Sequence, residues 1–368
     1  MDLDFQTGGF LLLVAAVVAM LTRRLRLPYS VGLVAAGILV AVLPFAPRVN
    51  LTKDLIFTGL LPPLLFEAAF YIHWDQLRRD FTVIVVLATL GVALSACLTA
   101  LGMHYLAQWQ WLGALVFGAL IAATDPVSVI ATFKEAKAQG RLLVLIECES
   151  LFNDGTAAVA FGVLVALALG QQLTPVDIAA TLVKTVCGGI LCGAAVAVVA
   201  LLLAGQTEDH LVEITFTTVA AYGSFLLSDH LGLSGVLATI TAGLVMSNFT
   251  SFGAISDRGK EAIHVFWEYA AFVANSLVFL LIGMHEAHQN FRAIWLPAVI
   301  AIVLVTLGRA VAIYPCCFLF ARSSLRVEMK HQHVLLWGGL RGAVALALAS
   351  DFRPSSHGAR RSLQLPSQ

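Results

Sequence analysis

Apolar runs of about 20 residues recur along the chain, and they exclude a fold that is soluble in water. Of the 368 residues, 59% are hydrophobic and 12% are charged, whereas an ordinary soluble domain is about 25% charged. Cutting the chain at charge clusters and at proline and glycine predicts twelve membrane spans. These are 6–21, 28–43, 54–72, 81–107, 113–133, 145–169, 176–204, 211–228, 233–247, 264–284, 294–321 and 334–350. We therefore predict an all-α polytopic membrane protein with a single transmembrane domain over residues 1–350.

The charge balance excludes several kinds of partner. There are 22 lysine and arginine residues and 22 aspartate and glutamate residues. Such a balance gives no electrostatic footprint for nucleic acid or for peripheral attachment to a membrane surface. The six cysteines lack the paired spacing of metal or disulfide sites. We expect no cofactor, no nucleic-acid partner and no enzymatic activity, and we look for partners in the lipid bilayer and among small ions.

Lysine and arginine are unevenly distributed between alternate loops. The loops after odd-numbered spans hold 13 of them, and the loops after even-numbered spans hold 3. Because cytoplasmic loops carry the excess, the N-terminus is predicted to lie outside, in a multi-pass protein of the cell (inner) membrane.

Six ionisable side chains cluster in spans 3, 5, 6, 11 and 12. At bilayer depth each one costs about 2.5–3.5 kcal/mol, so each needs a partner or a function. Buried ion pairs that fix helix packing are one interpretation, but four acids and two bases cannot all pair. The six are Glu67, Asp125, Glu149, Asp154, Arg309 and Arg341.

Two of the spans contain signals for an interruption of the helix. Pro126 removes a backbone hydrogen bond and displaces the carbonyl of Ala122, so the preceding Asp125 lies beside freed carbonyls that can bind a cation. A simple proline kink capped by Asp125 is the alternative. Arg341 stands in a second break, the glycine-rich segment 338–342, seven spans later.

A faint internal repeat has the same offset, because residues 30–38 resemble residues 234–244. Seven is odd, so the second copy would be inverted, as in alternating-access transporters. Ordinary packing of small residues in lipid explains the repeat equally well. The inverted repeat predicts two broken helices that face each other.

Span 6 separates two groups of polar residues. At 100° per residue, Ser150 and Asp154 share one helix face, while Glu149 and Asn153 share the neighbouring face. The first pair is a candidate set of oxygen ligands for a hard cation. For Glu149 we predict an ion pair with an arginine of a later span, and Arg309 is a better candidate than the arginine of the glycine-rich break.

Five segments in a fixed order resemble sodium/proton antiporters of the monovalent cation/proton antiporter family 1. They are residues 61–67 (LPPLLFE), 123–129 (ATDPVSV), 149–155 (ESLFNDG), 307–310 (LGRA) and 338–343 (GGLRGA). The resemblance implies a thirteen-helix fold, a homodimer and a core bundle that moves against a dimerisation domain. On this basis we assign 81–170 and 294–350 to the core bundle, 6–72 and 211–284 to the dimerisation domain, and 176–204 to a linker helix.

The same resemblance implies roles for individual residues. Asp154 is the carrier of ion and proton, with Ser150 and the main chain of Thr124 as further sodium ligands. Glu67 and Asp125 lie around the site. Asn153 tunes Glu67, and Glu149 with Arg309 is the buried structural pair.

Exchange of Na⁺ for H⁺ by alternating access is the predicted function. Desolvation favours the neutral form of a carboxyl group, so a proton and a sodium ion can compete for the same oxygens. Because Asn153 replaces a second acid, the resemblance implies electroneutral exchange. K⁺/H⁺ exchange is an alternative, as is a truncated relative without transport. A remote alternative is an intramembrane aspartyl protease that uses Asp125 and Asp154.

The last residues differ sharply from the rest of the chain. Residues 351–368 are polar, and we expect a non-native or disordered tail there instead of a thirteenth helix. The absent helix would be the repeat partner of span 6. We therefore expect this chain to transport ions less well than a family member that has the thirteenth helix.

Overall fold

The computed structural model describes residues 5–25, 27–43, 55–124, 140–172, 174–249, 255–287 and 291–338. All regular secondary structure in these ranges is helical, as the apolar runs predict. The helices are α1 Phe5–Leu25, α2 Tyr29–Val42, α3 Leu55–Phe70, α4 Trp74–Ala107, α5 Trp111–Ala122, α6 Arg141–Ala168, α7 Pro175–Ala204, α8 His210–His230, α9 Gly235–Phe249, α10 Asp257–Glu286, α11 Phe291–Phe318 and α12 Met329–Trp337.

Each of the first eleven predicted spans overlaps one of these helices. Seven helices of the described residues are long and apolar enough to cross a membrane, namely α1, α4, α6, α7, α8, α10 and α11. Helices α2, α3, α5 and α9 are apolar but shorter. The twelfth predicted span, 334–350, coincides with α12 only as far as Trp337, and residues 339–368 lie outside the described ranges. The count of twelve spans therefore stays a prediction.

Several helix ends follow from local sequence. Thr174 and Asp177 form a capping box at the start of α7, in which the side chain of each accepts a hydrogen bond from the backbone N–H of the other. The hydroxyl of Ser256 accepts a hydrogen bond of 3.0 Å from the N–H of Gly259 and caps α10. Gln108 ends α4 in the left-handed conformation, with φ of 58°. Helix boundaries of this kind can be read without knowledge of the tertiary structure.

The helices pack in two groups. Helices α4, α5, α6, α11 and α12 pack against one another in one group, and α1, α2, α3, α8, α9 and α10 form the other. Helix α7 packs mainly on α8 and α9 and also contacts α6. The largest hydrophobic core lies between α3, α4, α6 and α9, so it joins the two groups.

Helices α2 and α10 cross at glycines. A Cβ atom on Gly37 would lie 2.3 Å from the carbonyl oxygen of Leu280, and one on Gly283 would lie 2.2 Å from that of Val34. Backbones come this close only where the side chain is a hydrogen atom, which is the usual way for helices to associate in lipid.

Candidate ion-binding site

Helix α5 ends at Ala122, immediately before the predicted interruption. Ala123 leaves the helix with φ of −58° and ψ of 137°, and Thr124 is also non-helical. The ring of Pro126 would clash with the carbonyl of Ala122 in a continuous helix, which explains why the helix stops there. Ala123 and Thr124 are buried. Asp125 and Pro126 lie outside the described residues.

Side chains of helix α6 form hydrogen bonds with the backbone of Thr124, which has no place in the hydrogen-bond ladder of α5 because it lies beyond the end of that helix. The N–H of Thr124 donates to Oδ1 of Asn153 at 3.2 Å, and Nδ2 of Asn153 donates to Oγ1 of Thr124 at 2.6 Å. The hydroxyl of Ser150 donates to the carbonyl oxygen of Thr124. All three residues are at most 2% exposed, so these bonds replace both water and the helix ladder.

Glu149 and Arg309 form a buried, bidentate ion pair. Nη1 of Arg309 lies 2.6 Å from Oε1 of Glu149, and Nη2 lies 2.7 Å from Oε2. The two residues are 2% and 8% exposed. Nη2 also donates to the carbonyl of Leu335 at 3.2 Å, so the pair connects α6, α11 and α12.

Asn153 links this ion pair to the end of α5. Its Nδ2 also donates to Oε1 of Glu149 at 3.1 Å. Both amide hydrogens are thus directed to Thr124 and Glu149. That Asn153 tunes Glu67 stays a prediction. Glu149 and Asn153 are four residues apart on one face of α6, which brings their side chains into contact.

Asp154 is the next residue of α6 and is partly buried. It lies one turn after Ser150, which contacts the end of α5. The residue after Asp154 is Gly155, where an added Cβ atom would lie 2.4 Å from Cδ2 of Leu237 in α9. Helix α6 therefore packs closely against α9 beside Asp154. Glu67 is partly buried on α3, a helix that also packs against α6 and α9.

The structure thus brings together Thr124, Ser150, Asn153, Glu149 and Arg309 in one connected polar network. The second predicted break begins where α12 ends, at Trp337, but Arg341 lies outside the described residues. That two broken helices face each other and cross, as in an inverted-repeat antiporter fold, therefore stays a prediction.

Oxygen atoms dominate the candidate ligands. Among the described residues, no three histidine, cysteine, aspartate or glutamate side chains gather as they would around a resident metal ion. The carbonyl of Thr124, the hydroxyl of Ser150 and the carboxylate of Asp154 offer hard oxygen atoms, the kind of ligand that hard cations prefer.

One further ion pair was missed by the sequence reasoning. Nε and Nη2 of Arg141 lie 2.9 and 2.6 Å from Oδ1 of Asp80. Asp80 immediately precedes predicted span 4 and Arg141 shortly precedes predicted span 6. In the sequence, only their predicted placement on the same side of the membrane could have indicated that Asp80 and Arg141 form a pair.

Long apolar helices that surround a buried polar network at a helix end are typical of membrane transporters. The chain belongs to the sodium/hydrogen exchanger transmembrane family, whose sequence model matches residues 11–360.

Individual relatives agree with this assignment. The chain is 39% identical over 326 residues to the Na⁺/H⁺ antiporter ApNhaP of Aphanothece halophytica, which covers 88% of this chain and 62% of that protein. It is 30% identical over 374 residues to the Na⁺/H⁺ antiporter NhaP of Pseudomonas aeruginosa, covering 92% and 87% of the two chains. The chain therefore spans less than two thirds of the length of ApNhaP.

A solved structure shares the fold. The sodium proton antiporter MjNhaP1 from Methanocaldococcus jannaschii at pH 8 superposes with a TM-score of 0.77 at 20% sequence identity. The match covers 94% of this chain and 84% of that one.

Proposed function

We propose that this chain exchanges Na⁺ for H⁺ across the membrane by alternating access. Family membership and the names of its relatives support the class of transport. One observation carries the proposal: non-helical Thr124 is hydrogen-bonded to Asn153 and Ser150 of α6. Asn153 is next to Asp154 in the chain, and Ser150 lies one helical turn before it. The carbonyl oxygen of Thr124 has two lone pairs, so it can accept the hydrogen bond from Ser150 and still contact a cation at this interrupted helix end.

Asp154 is the proposed carrier. A proton binds to one oxygen of its carboxylate, or Na⁺ binds to the carboxylate together with the hydroxyl of Ser150 and the carbonyl of Thr124. The two ions use the same oxygens, so one displaces the other. A loaded, neutral site can move between the two sides, whereas an empty anionic site pays the cost of burying a charge. This difference couples the two fluxes.

The other polar residues of the network serve as support. Glu149 and Arg309 neutralise each other and leave no net charge to be carried. Asn153 holds Thr124 against α6 without adding a titratable group. The exchange is therefore proposed to be electroneutral, one Na⁺ for one H⁺. Glu67 and Asp125 are proposed to lie around the site.

Packing supports the proposed division into moving parts. Helices α4, α5, α6, α11 and α12 belong to the core bundle, 81–170 and 294–350, and carry most of the polar network. The segments 6–72 and 211–284 are proposed as the dimerisation domain of a homodimer, with 176–204 as the linker helix. We place the protein in the cell (inner) membrane with the N-terminus outside.

Proton flux in everted vesicles tests the function. Addition of Na⁺ is expected to produce a pH change with the unchanged chain and with Asp75→Asn, an exposed acid outside the network. Asp154→Asn is expected to abolish the change, because a neutral amide binds neither ion. No flux from the unchanged chain would overturn the function, and flux retained by Asp154→Asn would overturn the role of this residue. A current proportional to Na⁺ flux would overturn electroneutrality.

A further inference from the structure

A cavity of about 440 Å³ opens where the starts of α4 and α6 meet the segment between α11 and α12. It lies apart from the network around Thr124, at the end of the bundle that the distribution of lysine and arginine predicts to face the cytoplasm. Its polar lining consists of Gln76, Arg79, Asp80, Gly140, Arg141 and Ser324. Val144 and Leu325 supply apolar surface.

Hydrogen bonds hold the walls of this cavity in place. Beyond its contacts with Asp80, Arg141 donates from Nη1 to the carbonyl of Arg326 at 2.7 Å and from Nη2 to the carbonyl of Leu325 at 2.8 Å. One guanidinium thus ties together α4, α6 and the segment before α12. A cavity with walls fixed in this way is formed before any ligand arrives, which lowers the entropic cost of binding.

The charge that remains available in the cavity is positive. The carboxylate of Asp80 is paired with Arg141, so the one acid among the described lining residues is neutralised. Arg79 is exposed and pairs with no carboxylate in the part of the chain that the structure describes. The adjacent Arg78, by contrast, pairs with Asp75 at 3.0 Å.

Neutral hydrogen-bond donors complete the lining. The amide of Gln76 and the hydroxyl of Ser324 can both donate. Helix α6 begins at the cavity after Gly140, and none of the described side chains caps its first turn. The first N–H groups of this 28-residue helix add positive potential to that of Arg79.

We propose that this cavity binds a phosphate-class anion, either free phosphate or the phosphate of an anionic lipid headgroup. Arginine binds phosphate through two parallel hydrogen bonds, and helix N-termini favour the same group. The volume lies within the range of small-ligand sites. Basic pockets between helices at the cytoplasmic side are also where lipid phosphates bind. The bound anion bridges α4, α6 and the segment before α12.

Thermal unfolding of the purified chain in neutral detergent tests this site. A ligand that binds only the folded state raises Tm with concentration. We compare sodium phosphate with sodium chloride at equal ionic strength, and short-chain phosphatidylglycerol with short-chain phosphatidylcholine. The matched variants are Arg79→Gln, which removes the cation that pairs with no described carboxylate, and Arg78→Gln, which removes the same charge one residue away.

Phosphate or phosphatidylglycerol is expected to raise Tm of the unchanged chain and of Arg78→Gln. Arg79→Gln is expected to need about tenfold more ligand for the same rise in Tm. This factor corresponds to the loss of one hydrogen bond between a charged side chain and the anion. A response to phosphate identifies a free anion, and a response to phosphatidylglycerol alone identifies a headgroup. No response to either, or equal responses of the two variants, overturns the proposal. Because no ion flux is measured, this outcome is independent of the transport assay.

Discussion

Replacing Glu149 by glutamine removes one charge of the buried ion pair while keeping the volume of the side chain. The guanidinium of Arg309 then stays at 8% exposure without its carboxylate, facing a neutral amide oxygen and the carbonyl of Leu335. Asn153 at the same time loses a charged acceptor for one of its amide hydrogens. The variant therefore tests whether the pair stabilises the junction of α6, α11 and α12.

The magnitude follows from the geometry of the pair. Breaking a buried, hydrogen-bonded ion pair by removing one partner costs about 3–5 kcal/mol. Glutamine can still accept one hydrogen bond from Arg309, so we expect the lower end, about 3 kcal/mol. At roughly 2 °C for each kcal/mol in a large domain, Tm falls by about 6 °C.

Thermal unfolding in neutral detergent measures this change, and two variants serve as controls. Asp75→Asn breaks the exposed pair with Arg78 and is expected to cost at most about 1 kcal/mol. The double variant Glu149→Gln with Arg309→Met leaves no unpaired charge and is expected to recover much of the loss. The ion pair does not stabilise this junction if Glu149→Gln lowers Tm no more than Asp75→Asn, or if the double variant is less stable than the single one.

Two further predictions concern helix packing and are measured by the same unfolding assay. Gly283→Ala places a Cβ atom 2.2 Å from the carbonyl oxygen of Val34, so overpacking is expected to cost about 1–3 kcal/mol. Gly9→Ala places its Cβ atom within a helix where nothing lies within 4 Å, so it is expected to stabilise the fold by about 0.5–1 kcal/mol. Asp80→Asn weakens the clamp on Arg141 and is expected to cost about 1.5–3 kcal/mol, more than Asp75→Asn.

Equal stability of the two alanine variants would show that α2 and α10 do not cross at Gly283. Asp80→Asn with the same Tm as Asp75→Asn would show that the clamp adds no stability beyond that of an exposed ion pair.

Sequence alone located the helices with good accuracy. The span predicted at 176–204 is α7, Pro175–Ala204, and the span predicted at 54–72 is α3, Leu55–Phe70. Apolar length, capping residues and proline are local properties, so no knowledge of distant contacts was needed. The end of α5 at Ala122 follows in the same way from Pro126.

The ionisable residues inside the spans were also evident from sequence, because charge in lipid is rare and costly. Glu149 and Arg309 stood out on these grounds as candidates for a pair, and the structure joins them at 2.6 Å. Of the two arginines, the glycine-rich break around Arg341 favoured Arg309 as the partner of Glu149.

Only the tertiary structure decided which helix faces meet. It directed the amide of Asn153 to Thr124 and Glu149, and it joined Asp80 to Arg141 beside a cavity that no motif had indicated. In a soluble protein, the polar face of a helix shows which side is turned away from the core. In lipid both sides are apolar, so the sequence of a span carries little information about its neighbours, and contacts between distant spans emerge only when the helices pack.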